Sequence, residues 1–283
     1  TSIYRISIEN SVIGSEVKKG KVLGRELNQF SMDEYNNYFR IATTTWINGS
    51  TQNNLYILDM NLNVTGSLEN IAPGETIDSA RFMGSRCYLA TSVVRMDPFF
   101  VIDVEDVSAP KILGYLKIPG FTRYLHPYDE DHVIGIGRET DNVKISFFDV
   151  SNVSAPIEID KYIVEGAWSD SLVLTEHKAF LFDKSKELLA IPISISKYIY
   201  YTDYGYSLWQ GVYVFNINLI DGLVLRGNVT HQGWDSGYWW WAWDTRYSVK
   251  RALYIENVLY TVSDMKVKLN DLEDLMLIKE IEL

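Results

Sequence analysis

The sequence predicts an all-β protein, a β-propeller of four-stranded blades. Three observations carry this prediction. Helical periodicity is nearly absent, and short runs of β-branched and aromatic residues are punctuated by Gly, Asn, Asp and Pro. One segment type recurs, an apolar strand ending near an acid or amide: LYILDMNLNVTGSL, FFVIDVEDVSAPKILGYL, ISFFDVSNVSAPIEIDKYI and VYVFNINLIDGLVLRGNV, with anchors at Asp59, Asp103, Asp149 and Asn216. With weaker copies anchored at Ser7 and Lys268, the spacings are 52, 44, 46, 67 and 52 residues, the length of a four-stranded blade.

The elements follow in order. Residues 1–23 hold only two strands, IYRISIEN and SVIGSEVKKGKV, and read as the outer half of a blade. Residues 24–71 supply ELNQFSM, FRIATTT, LYILDM and VTGSL as four strands, inner to outer. Residues 77–118 supply SARFM, CYLAT, FFVID and KILGYLKI, and residues 119–164 supply TRYLH, HVIGIG, VKISFFDV and IEIDKYIV. Residues 166–231 form a longer fourth blade. Residues 247–283 supply KRALYI, LYTVS, MKVKL and LMLIKEIEL. The expectation is one propeller domain over 1–283, with five complete blades and an N-terminal half blade. Open sheet edges invite aggregation, so the half blade needs inner strands. The chain therefore reads as the C-terminal part of a longer protein.

Composition excludes several classes. The chain has 283 residues, a net charge of −11 and a pI near 4.9. A nucleic-acid partner wants a basic stripe, and an anionic membrane surface wants the same. No apolar run is long enough to span a bilayer, and no signal peptide opens the sequence. Cys87 is the single cysteine, so no intrachain disulfide forms. Sequons at Asn48, Asn63, Asn152 and Asn228 point weakly to an exported protein.

The words YLHPYDEDHVIGIG, EHKAFLFDKSKELLAIPI and VKRALYIENVLYTVS stand in that order, with LNQFSMDEYNNYFRIATTT upstream. In these the whole chain resembles a family of secreted archaeal and bacterial proteins with a C-terminal β-propeller distantly related to WD-type repeats. The resemblance implies the fold and an extracellular or cell-surface setting. It brings no catalytic residues and no cofactor.

Most candidate chemistry has a plainer structural reading. HPYDEDH, from His126 to His132, suggests a hard-cation loop through Asp129, Glu130 and Asp131, but its spacing matches no calcium loop and reads as a solvated turn. His177 and His231 are expected to satisfy blade hydrogen bonds. Cys87 lies within an alternating strand and reads as buried. No nucleophile elbow or phosphate-cradling loop occurs. The repeated Asp59, Asp103 and Asp149 suit turns, where Asp bonds nearby backbone amides. Arg81, Arg123 and Arg251 recur on inner strands; pairing with neighbouring acids is the first reading, and a carboxylate- or phosphate-holding ring is the second.

Two aromatic insertions stand apart from the repeat. SKYIYYTDYGYSLWQG, residues 196–211, joins the second and third strands of the fourth blade, and GWDSGYWWWAWDTRY, residues 233–247, follows its fourth strand. Strands run up and down, so both links leave from one face. Three readings are open: a self-packed mini-core, a protein or oligomer interface, and a carbohydrate platform. The candidate binding residues are Tyr204, Trp209, Trp234, Trp239, Trp240, Trp241 and Trp243, with Asp235 and Asp244 to bond hydroxyls. The expected function is a non-catalytic binding or scaffold module with an unknown glycan or protein partner, without cofactor or metal, and with self-association through the aromatic face as an option. The alternative is a polysaccharide hydrolase or lyase, using Asp203 or Asp235 with Asp244.

Overall fold

The computed structural model describes residues 1–9, 11–92, 96–199, 205–232 and 244–283, with backbone alone at 9, 96–97, 198–199 and 205–206. Among them the chain forms antiparallel sheets in simple up-and-down order. A two-stranded sheet of β1 (Ser2–Glu9) and β2 (Val12–Lys21) comes first. The first blade follows, with β3 (Met32–Tyr35), β4 (Tyr38–Ile47), β5 (Ser50–Leu58) and β6 (Val64–Ile71). The second has β7 (Thr76–Met83), β8 (Arg86–Ser92), β9 (Met96–Asp103) and β10 (Lys111–Pro119), and the third β11 (Phe121–Pro127), β12 (His132–Glu139), β13 (Asn142–Asp149) and β14 (Ile157–Ile163). The fourth holds β15 (Trp168–Asp170), β16 (Leu181–Asp183), β17 (Leu188–Ile199), β18 (Gly205–Asn218) and β19 (Gly222–Val229). The fifth holds β20 (Arg251–Ile255), β21 (Val258–Val262), β22 (Lys266–Asp271) and β23 (Leu277–Glu282). Five blades and a half blade match the repeat count read from the sequence.

The chain divides into two compact units, residues 1–133 with 149–157 and residues 134–148 with 158–283. In the first unit, Ala42, Leu55 and Ile57 of one blade pack with Ile77, Cys87, Leu89 and Ile102 of the next. In the second, Leu188, Ala190, Val212 and Val214 pack with Val249 and Leu259. Each core is made by alternate residues of central strands, the faces that a pleated sheet turns inward.

The repeated words earn their repetition in the turns. Asp59 Oδ1 accepts the backbone N–H groups of Asn61 and Asn63, both at 2.8 Å; Asp103 accepts from Glu105 at 3.0 Å and Asp149 from Ser151 at 2.8 Å. In the VSAP copies, Asp106 and Asn152 accept from the N–H and hydroxyl of Ser108 and Ser154. These turns pack backbone-on against fourth-strand glycines. A Cβ on Gly66 would stand 2.4 Å from the Val107 carbonyl oxygen, and one on Gly114 would stand 2.4 Å from that of Val153. Only glycine admits that approach.

Two elements differ from expectation. ELNQFSM is not a strand: Gln29–Ser31 form a 3-10 turn, because Asn28 Oδ1 accepts the Phe30 N–H at 2.9 Å and the Ser31 hydroxyl receives the Asn28 N–H. The first strand of the fourth blade is split into β15 and β16 by 3-10 turns at Leu172–Leu174 and His177–Ala179. Facing that break, β17 carries Pro192, which has no N–H to offer, and the Ser171 hydroxyl donates to its carbonyl at 2.7 Å.

Candidate functional site

The described part of the first aromatic insertion, outside residues 200–204, continues the blade. Strands β17 and β18 pair without interruption from Leu188↔Asn216 to Ile199↔Gly205. The β17–β18 hairpin thus runs on past β15, whose last partner is Ser196.

Both insertions are rooted together. Within β18, the Gln210 side chain spans to the start of the fifth blade: its Nε2 donates to the Val249 carbonyl at 2.8 Å, and its Oε1 accepts the Val249 N–H at 2.7 Å. The backbone carbonyl of Gln210 accepts from the Thr230 hydroxyl at 2.6 Å, just past β19. Gln232 Nε2 donates to the Asp244 carbonyl at 2.6 Å and closes the neck of the tryptophan segment. Next to that neck, buried His231 holds Ser263 Oγ through Nδ1 and Thr261 Oγ1 through Nε2, each at 2.9 Å. Burial, with the Lys268 and Lys266 ammonium groups, holds this imidazole down at a pKa of about 4, so it is neutral at pH 7. Beside this root is a cavity of about 340 Å³ whose lining includes Asp170, Thr175, Ser194, Gln210, Thr245 and Ser248.

Comparison with known proteins decides the family. A model of the β-propeller domain matches residues 1–275. The chain belongs to the β-propeller domain family. The propeller is 36% identical over its full length to an uncharacterized protein of Methanocaldococcus jannaschii, of which it covers 40%. It is 36% identical over 96% of its length to one of Archaeoglobus fulgidus, of which it covers 37%. It therefore spans about two fifths of the length of these curated relatives. Among solved structures it is similar to the Dos1 propeller, with TM-score 0.49 and 10% identity, covering 99% of this chain and 80% of that one. It is also similar to the WD40 domain of Toxoplasma gondii coronin, with TM-score 0.43 and 9% identity, covering 98% and 74%.

In the propeller, two of the nine predicted binding residues lie among those described. Trp209 is 6% exposed, with its indole drawn across side-chain-free Gly211 and set 5.4 Å from the Tyr213 ring. The adjacent glycine is the signal for this inward fold, and the sequence reading did not use it. Asp244 caps the 3-10 turn Thr245–Tyr247, accepting the Arg246 N–H at 3.0 Å, and its carboxylate takes the Arg246 guanidinium at 2.7 Å, which lowers its pKa. Tyr204, Trp234, Asp235, Trp239, Trp240, Trp241 and Trp243 lie outside the described residues, as does Asp203 of the enzyme alternative. Gln210, Thr230 and Gln232, which build the root, were missed. For Gln210 the sequence signal is an amide within an apolar strand; Thr230 and Gln232, past the end of β19, carry none.

The other candidates resolve by contact. Asp129 Oδ1 receives the Asp131 N–H at 3.0 Å and sits 2.7 Å from His132 Nδ1, an arrangement that closes the HPYDEDH turn. Cys87 is fully buried, and burial pushes its thiol far up. Arg123 approaches Asp78 and Arg251 approaches Glu176, each at 3.7 Å. Among the described residues no helix is long and apolar enough to cross a membrane.

Proposed function

We propose that this protein is an exported or cell-surface binding and scaffold module that presents its paired aromatic insertions to a carbohydrate or protein partner, without catalysis. The observation that carries the reading is the shared root: Gln210, Thr230 and Val249 tie the origin of one aromatic insertion to both ends of the other. Two segments rich in Tyr and Trp, anchored side by side, make the kind of surface that stacks on sugar faces or anchors a protein interface. The hydroxyl-rich cavity beside the root favours a sugar as the first partner to try. An exported setting is supported by the four sequon asparagines, which are all exposed.

The test is the double variant Trp240→Ala with Trp241→Ala, applied to a glycan array and to a pull-down. The expected result is loss of array signal by at least about tenfold, with the unfolding midpoint nearly unchanged. Loss from the pull-down alone assigns a protein partner instead. Unchanged binding in both overturns the proposal.

A further inference from the structure

Arg81 breaks the pattern set by the other inner-strand arginines. Arg123 and Arg251 each have an acid nearby. Arg81, half-buried on β7, has no ion pair or side-chain hydrogen bond among the described residues; its guanidinium carbon lies 4.7 Å from the centroid of the Phe30 ring. Nearby Asp33 is already taken, held in a two-pronged pair by Arg40 at 2.7 and 2.5 Å. Phe30 is held in turn, by the capped turn at Asn28 and by an edge-on contact with Tyr124 at 5.6 Å. Burial weighs against the Arg81 charge. A guanidinium does not lose its proton at physiological pH, so its N–H donors stay charged and are available to an acceptor that enters from outside the fold.

The acceptor has room. Arg81 and Phe30 line a cleft of about 990 Å³, built from the strand-end turns of three successive blades and lying wholly within the first unit. That volume suits a ligand of several residues. The cleft is distinct from the insertion root and does not depend on the function proposed for it.

The other charges in the cleft select the ligand. Asp33 and Arg86 are matched by Arg40 and Asp103. Asp129 is engaged by His132 at 2.7 Å; what remains is the Arg81 cation and the exposed acids Glu130 and Asp131 of the same turn. A phosphate or a run of uronic acids would bring surplus negative charge against Glu130 and Asp131. A single carboxylate on an apolar or cationic body suits both features: the fork takes the carboxylate in two parallel hydrogen bonds, and the acidic turn favours an ammonium. We propose that this cleft binds the C-terminal carboxylate of a peptide that carries a basic side chain, with Arg81 as its anchor.

The experiment is calorimetric titration of the whole chain with acetyl-lysyl-phenylalanine and with its C-terminal amide, with digalacturonate and inorganic phosphate as further arms. The free acid is expected to bind at least about tenfold more tightly than the amide. Arg81→Met should abolish that preference while leaving the thermal midpoint nearly unchanged, since no ion pair is broken and the methionine keeps an apolar contact with the Phe30 ring. Equal binding of acid and amide, or no binding of either, overturns the proposal, and both outcomes are read on the unaltered protein. Tighter binding of digalacturonate or phosphate than of the acid peptide overturns the ligand class. A midpoint lowered by several degrees in Arg81→Met, more than loss of the Phe30 ring contact accounts for, overturns the premise that Arg81 has no ion pair within the fold.

Discussion

The contacts between the first three blades differ in kind from those between the fourth and fifth. In the first unit, Gly66 and Gly114 on fourth strands meet the backbone of the following VSAP turn, so close that a Cβ would stand 2.4 Å from a carbonyl oxygen. In the second unit the corresponding Gly227 meets only a side-chain atom, Leu275 Cδ1, at 2.9 Å from an added Cβ. There the blades are tied by side chains instead, through Gln210 to Val249 and His231 to Ser263 and Thr261. Backbone contact fixes a spacing and tolerates no variation, so the sequence repeats. Side-chain bridges tolerate insertions, and the aromatic segments sit where those bridges are.

The strongest way to break this contrast is to add bulk at both kinds of glycine. Gly114→Val forces its side chain onto the Val153 carbonyl and the Ser154 backbone, neither of which can rotate away. A loss of about 3–5 kcal/mol is expected, near the upper end for single substitutions. Gly227→Ala meets one flexible leucine and should cost about 1 kcal/mol or less. Urea unfolding of both variants measures the difference. Equal losses at the two sites would remove the distinction between backbone and side-chain junctions.

This difference also sets how much could be read in advance. The blade count, the strand boundaries of the second and third blades and the role of Asp59, Asp103 and Asp149 were all legible, because each rests on local backbone chemistry repeated in the sequence. The turn at Gln29–Ser31 was not. Leu27, Phe30 and Met32 resemble a strand, and the Asn28 and Ser31 cap that overrides them leaves only two polar letters three residues apart. The root of the insertions was less legible still. Gln210 meets Val249 across 39 residues, and no periodicity announces such a pair. The departure of Arg81 was equally hidden: Arg81, Arg123 and Arg251 look alike in sequence, and only the fold shows that Phe30, not an acid, lies beside the first.

Gln210 tests the side-chain junction directly. Gln210→Ala removes both partners of a buried backbone N–H and carbonyl at Val249, and unsatisfied buried groups cost more than the bonds themselves contribute. A loss of about 2–3 kcal/mol in urea unfolding is expected. Gln210→Glu keeps the acceptor for the Val249 N–H but sets a buried carboxylate oxygen against the Val249 carbonyl, so at pH 7 it should lose at least as much as Gln210→Ala. If Gln210→Ala unfolds at the same urea concentration as the parent, the bridge contributes nothing to the junction.

The smallest expected effect is a pH dependence that the first unit's glycine junctions cannot show. His231 is neutral in the fold down to a pKa of about 4, against an ordinary value of 6.5. Below pH 6.5 the unfolded chain takes up a proton that the folded chain refuses. Stability from this group is therefore complete above pH 6.5 and falls as pH drops toward 4, by about 2 kcal/mol at pH 5, levelling off below 4. His126 titrates in the same window, also held down to about 4 by burial and by the Arg81 charge, so the total slope does not isolate His231. The variant His231→Gln does, because it keeps hydrogen-bonding capacity toward Ser263 and Thr261 without a titrating ring. Its stability deficit relative to the parent should shrink between pH 7 and pH 4.5 in urea unfolding. A deficit that stays constant across that range would mean that His231 carries the same charge in both states, and that the neck of the tryptophan segment is not held by a neutral imidazole.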